Sequence, residues 1–157
     1  MSGTHQALEQ GVRVLEQWVV EVERDNPVVT NIERDPEVDR WYVRIRGEEK
    51  LVTTVWFTVR DRSVHVESYF MPWPQEHVAE TFEYVLRASA RFVGLRMVIG
   101  GEDALYFRGE IALETMVNDR AFEQLDRILG SIYAYSEECF RTAMTIGFGA
   151  QFRPVQP

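Results

Sequence analysis

Apolar residues recur along this chain with two periods, and the switches between them mark out its elements. Over residues 4–24, Leu8, Val12, Leu15, Val19 and Val22 fall three and four apart, so they share one face of a helix. Trp18 lies beside that stripe, and Glu9, Glu16 and Glu23 lie largely opposite. Thr4 is a candidate N-cap. Asp25-Asn26-Pro27 ends the helix, because proline disfavours a helical conformation in the residue before it. Residues 28–39 read as a connector, with a short strand or edge segment at most over 28–32 and a turn at Asp35-Pro36.

From Trp41 the period becomes two. Trp41, Val43 and Ile45 alternate with Tyr42, Arg44 and Arg46, and Gly47-Glu48-Glu49-Lys50 forms a polar turn. Over residues 51–60, Leu51, Thr53, Val55, Phe57 and Val59 share a face, with Val52, Thr54, Trp56, Thr58 and Arg60 on the other. After the turn at 60–63, Val64, Val66, Ser68 and Phe70 oppose His65, Glu67, Tyr69 and Met71. Three strands joined by short loops predict an antiparallel meander.

Met71-Pro72-Trp73-Pro74 stops the sheet, and Pro74 suits the first turn of a helix, where its missing N–H costs nothing. A helical stripe of Val78, Phe82, Val85, Leu86, Ser89, Phe92 and Val93 follows and ends at Gly94. Residues 95–99 and 105–113 are two further strands around a hairpin loop, Gly100-Gly101-Glu102-Asp103; Leu105, Phe107, Gly109, Ile111 and Leu113 share a face. A last helix spans about Asn118 to Met144, capped by Asn118 or Asp119, with Phe122, Leu125, Leu129, Ile132, Ser136, Phe140 and Ala143 inward. Residues 146–157 form a Gly- and Pro-punctuated tail, whose Phe148 and Phe152 are expected to pack on this chain or on a neighbouring copy. The order α-β-β-β-α-β-β-α predicts an α+β fold: a largely antiparallel five-stranded sheet with helices on one face, the face that carries Val55 and Phe57.

A length of 157 residues suits one domain, 1–157, and 45% apolar with 27% charged residues is ordinary for a globular protein. The net charge of -8 argues against a nucleic-acid partner, since no Lys/Arg-rich run offsets it; Lys50 is the single lysine. One cysteine, Cys139, excludes an internal disulfide framework. The N-terminal residues lack a signal-peptide pattern, and no apolar run approaches the ~20 residues a membrane helix needs. The expected compartment is the cytoplasm, with no membrane partner.

The element order, the WYVRI and VTTVWFTVRDRSVHVESYF strands, the proline-marked start of the middle helix and the IYAYSEECF segment of the last helix together resemble the YbjN-domain family, over about residues 6–146. That family's fold is similar to type III secretion chaperones. The resemblance implies the α-β-β-β-α-β-β-α arrangement, homodimers, and roles in binding or regulation. It carries over no catalytic residue, and fold similarity alone implies no secretion role.

Candidate chemistry is sparse. His65 and Glu67 share a strand face, but one imidazole and one carboxylate are too few ligands for zinc, so they read as an exposed polar pair. His5 and His77 have no companions at metal-ligand spacing and read as solvated. Cys139 follows Glu137 and Glu138, the reverse of the electropositive setting a catalytic thiolate needs. Gly100-Gly101 and Gly147-Phe148-Gly149 lack the spacing and the Lys-Ser/Thr pair of a phosphate loop. Asp119, Glu123, Asp126, Glu137 and Glu138 read as the solvated face of a helix.

The unusual feature is aromatic. With helices on the Val55 face, the reverse face presents Tyr42, Trp56, Tyr69 and Tyr106 with Arg44 and Arg108, the residue types that anchor protein interfaces. Cover by the tail or the first helix of the same chain is the alternative. The expectation is a non-catalytic protein-binding or regulatory module, chaperone-like and homodimeric, with no metal or cofactor. The second reading is a small-ligand sensor with a pocket between sheet and helices, although the filled apolar stripes give no sign of a cavity.

Overall fold

A computed structural model describes residues 2–117, 119–149 and 151–152. Its elements are α1 (Ser2–Asp25), β1 (Val29–Arg34), β2 (Arg40–Arg46), β3 (Val52–Val59), β4 (Ser63–Pro72), α2 (Val78–Ser89), β5 (Arg96–Ile99), β6 (Ala104–Ala112) and α3 (Ala121–Phe148). A short 3-10 turn, Leu113–Val117, precedes α3.

The fold is α+β, with an antiparallel sheet of six strands in the order β1-β2-β3-β4-β6-β5, not five. The extra strand is β1, which the sequence pattern leaves as a connector. It lies at a sheet edge and buries only Val29 well, so it has no alternation to show. Its pairing with β2 slips between Val29 and Asn31.

The alternation in β2, β3, β4 and β6 places Trp41, Val43, Ile45, Val55, Phe57, Val64, Val66, Phe70 and Phe107 in the core, as expected. Helices cover this face: Trp18 of α1 meets Phe57 edge-on at 4.9 Å, and Phe140 of α3 meets Phe70 at 5.9 Å. Gly109 exposes backbone to α3, and an added Cβ would stand 2.9 Å from Ile128 Cδ1.

Several expected stripes are rotated or cut short. In α1 the buried side is Gly11, Val14, Leu15, Trp18 and Val22, while Leu8, Val12 and Val19 are only half-buried. The large indole of Trp18 sets that face, and its Nε1–H donates to Asp126 Oδ1 at 2.8 Å. Thr4 lies inside the helix rather than at its cap. In α2, Thr81, Val85 and Ala88 are buried, while Leu86 and Val93 are 64% and 71% exposed. The helix stops at Ser89, so Phe92 and Val93 no longer follow its phase.

Pro74 is buried in the approach to α2 rather than in its first turn, against Gly147. There the N–H groups of Gln75 and Glu76 both donate to the Gly147 carbonyl at 3.0 Å. Helix α3 therefore runs four residues past the expected end at Met144, to Phe148. Phe148 is buried and Phe152 packs on Phe140 at 6.0 Å, so both pack within the chain. Arg120 holds the N-cap position of α3; Asn118, one of the two expected caps, lies outside the described residues, as do 153–157 of the tail. Among the described residues no helix is long and apolar enough to cross a membrane.

Candidate functional site

The sheet face away from the helices carries an aromatic row. Strand register brings Tyr42 beside Trp56 and Tyr69 beside Tyr106. Their rings touch in sequence: Tyr42 to Trp56 at 6.2 Å, Trp56 to Tyr106 at 6.5 Å, and Tyr106 to Tyr69 at 5.6 Å. The Tyr42 hydroxyl donates to Asp35 Oδ2 at 2.9 Å, which fixes one end of the row. The two outer pairs meet edge-to-face and the central Trp56–Tyr106 pair is tilted, and rings packed on one another in this way are stiff and need little ordering on contact.

Two of the expected face residues are engaged differently. Tyr106 is only 6% exposed, because its ring lies over Gly100 in the β5–β6 hairpin. A Cβ at Gly100 would come within 2.3 Å of Tyr106 Cε2, so this glycine leaves room for the ring. Arg108 is half-buried and pairs along the same face with its cross-strand partner Glu67, at 3.4 Å. Arg44 is exposed and, among the described residues, makes no side-chain hydrogen bond or ion pair.

The chemistry-bearing groups do not converge. His65 is half-buried, paired in register with Thr58 and Glu110, while Glu67 faces Arg108. His5 bonds Glu9 one turn on, and His77 sits exposed in the left-handed region (φ 48) before α2. Among the described residues no group of three or more His, Cys, Asp or Glu is placed to hold a metal ion. Cys139 is buried, and burial, with Glu138 nearby, pushes its thiol pKa up.

The acids of α3 are not a uniform solvated face. Asp126 accepts the Trp18 indole N–H, and Glu138 pairs with Arg91. Glu137 holds the β2–β3 turn: the backbone N–H groups of Glu48 and Glu49 donate to its Oε2 at 2.9 and 3.0 Å, and that of Lys50 to its Oε1 at 3.2 Å. A run of consecutive N–H groups around one carboxylate is an anion nest.

This turn forms one wall of a cleft of about 410 Å³, where the sequence pattern shows no sign of a cavity. The cleft opens because β4 leaves β3. Their register ends at Val55 and Ser68, and β4 continues along β6 through a bulge between Tyr69 and Met71. The bulge turns Met71 into the core, off the reverse face where strict alternation puts it. Leu51, also expected inside, is 54% exposed at the cleft mouth, since β3 begins at Val52.

The cleft is lined by Tyr69, Phe70, Pro72, Phe140 and Phe152, and by Lys50. Lys50 is 8% exposed. Its Nζ donates to the Val52 carbonyl at 3.1 Å and Thr53 Oγ1 at 3.2 Å, and lies 5.9 and 5.7 Å from the Tyr69 and Phe140 ring centres. Among the described residues no carboxylate lies within 4.0 Å of it. Loss of solvent lowers its pKa from 10.5 to about 8. Sequence reasoning takes Lys50 for a turn residue; its one visible signal is that a chain using arginine everywhere else has lysine here.

An uncharacterised protein of Mycobacterium leprae is 26% identical to this chain over 109 residues, covering 69% of the chain and 57% of that protein. Uncharacterised proteins of Mycobacterium bovis and Mycobacterium tuberculosis are 26% identical over 106 residues, 68% of the chain and 56% of each. The chain thus spans a little over half the length of the curated relatives it matches. No protein-family profile and no solved structure matches it.

Proposed function

We propose that this chain is a non-catalytic binding module of the YbjN and secretion-chaperone-like kind, which holds a segment of a protein partner against its uncovered sheet face and also self-associates. The observation that carries this reading is the continuous ring row Tyr42–Trp56–Tyr106–Tyr69 on the sheet face opposite the helix-covered core. Trp and Tyr give large contact areas at low ordering cost, and such anchors dominate interface energies. Exposed Arg44 beside the row suits a partner segment that places an acidic group next to its apolar side chains.

A Tyr42→Ala, Trp56→Ala double variant tests the reading and leaves Tyr69, which also lines the cleft, in place. Each truncation of an anchor costs about 2 kcal/mol of binding, so the pair is expected to weaken association by a hundredfold or more. Sedimentation velocity reads self-association, and quantitative co-purification from native extract reads partner retention; circular dichroism checks the fold. A folded variant that self-associates and retains partners like the parent chain overturns the reading.

A further inference from the structure

The Lys50 cleft is separate from the reading of the sheet face and has its own electrostatic logic. A cation removed from water without a counter-charge costs several kcal/mol, and the groups around Lys50 offset only part of that. Two neutral oxygens accept its hydrogens, and two ring faces add a weak attraction. The charged groups nearest Lys50 are engaged elsewhere or lie in solvent. Arg141 Nε lies 2.7 Å from Glu49 Oε2, and Glu137 is committed to the turn backbone. Glu48 is exposed at the rim, and the Tyr69 phenol, its pKa raised by burial, stays neutral near pH 7. Lys50 is thus a cation against the apolar wall of the cleft with no carboxylate within 4.0 Å among the described residues, while the Glu48 carboxylate stays in solvent at the rim.

We infer that this cleft is a binding site for a small monocarboxylic acid with an apolar body, its carboxylate paired with the Lys50 ammonium and its body laid against Phe140, Phe152 and Tyr69. A volume of about 410 Å³ falls within the size range of small-molecule sites. The chemistry selects within that range. A phosphate would ask for several donors or a fork of arginines, and this cleft offers one ammonium in apolar walls. An amine would be repelled, and a neutral apolar molecule would leave the ammonium without its counter-charge.

The pairing has a pH signature. A bound carboxylate favours the charged amine, so binding raises the Lys50 pKa from about 8. Affinity is therefore full near pH 6 to 7, where the amine is charged and the acid ionised, and declines as pH rises past 8.

The single lysine makes the test direct. Chain grown on ¹³C-lysine has one ε-methylene resonance, from Lys50. The probes are 3-phenylpropionate and its neutral isostere 3-phenylpropanamide. At pH 7 the acid is expected to bind at least tenfold more tightly than the amide, to move the Lys50 resonance, and to move its titration midpoint upward by a pH unit or more. The preference is expected to vanish by pH 10 and in Lys50→Met. Equal binding of acid and amide, no saturation by the acid at low-millimolar concentration, or acid binding that leaves the Lys50 resonance and midpoint unmoved overturns the inference. These readouts use the parent chain, so they decide the matter even if Lys50→Met fails to fold. None depends on Tyr42 or Trp56, so this site and the sheet face stand or fall separately.

Discussion

Lys50 and Tyr106 both show a side chain whose surroundings its neighbours in sequence do not announce. Lys50 follows two glutamates in a polar turn yet is buried, and Tyr106 alternates onto the outer face yet is roofed by a glycine from its own hairpin. The buried amine has a consequence for stability. Its folded pKa, about 8, lies below the ordinary 10.5, so between these values the unfolded chain binds more protons than the folded one. Stability from this group therefore rises with pH over that window, and the burial penalty is fully present below pH 8. The full difference is on the order of 3 kcal/mol, of which roughly half is expressed by pH 9.5. The expected outcome is a urea midpoint that increases from pH 7.5 to 9.5 in the parent chain, with that gain absent in Lys50→Met. A midpoint that falls over this range in both would remove the effect. Above pH 10 the Tyr69 and Tyr106 phenols, raised by burial, work in the opposite direction, which limits the useful window.

Among the elements, the junction of the β2–β3 turn with α3 is the most specific. Glu137 reaches three successive amides, and Gly47 gives the carboxylate its room: a Cβ there would lie 2.1 Å from Glu137 Oε1 and 2.6 Å from the Lys50 carbonyl. Hydrogen bonds to a charged acceptor contribute about 1.5–3 kcal/mol each when buried, and this site is partly wet, so Glu137→Ala is expected to cost about 2 kcal/mol. Gly47→Ala is expected to cost a similar amount through the clash. Because the alanine methyl collides first with the carboxylate, the double variant should cost clearly less than the sum of the two. Additive penalties in denaturant unfolding would mean that the two residues act independently. The same junction explains a limit of sequence reading. Glu137 and Glu138 are adjacent acids on a helix in an acidic chain, and only the turn packed against α3 distinguishes their roles.

For the whole molecule, periodicity conveys most of the α+β plan, because residues alternating between core and exterior leave a clear trace in β2, β3, β4 and β6. It does not convey β1, since an edge strand that buries little needs no alternating pattern. The aromatic face is legible down to Tyr42, Trp56 and Tyr69 for the same period-two reason, while the pairing of Arg108 with Glu67 depends on which strand lies beside β4. The cleft is not legible at all: it exists because β4 parts from β3 at Ser68, a matter of pairing between distant strands. The clamp at Glu137 has a consequence in time as well as in energy. A surface turn ordinarily trades its amide hydrogens with water through small local fluctuations, whereas the amides of Glu48, Glu49 and Lys50 can do so only when the turn lifts off α3. In deuterium exchange these three amides are expected to share one slow opening with their helical neighbours, slower than the amides of the Gly101–Glu102 loop, and Glu137→Ala should release them together. Lys50 would then be carried on a turn that keeps pace with a helix, which gives an apparent loop the tempo of the core.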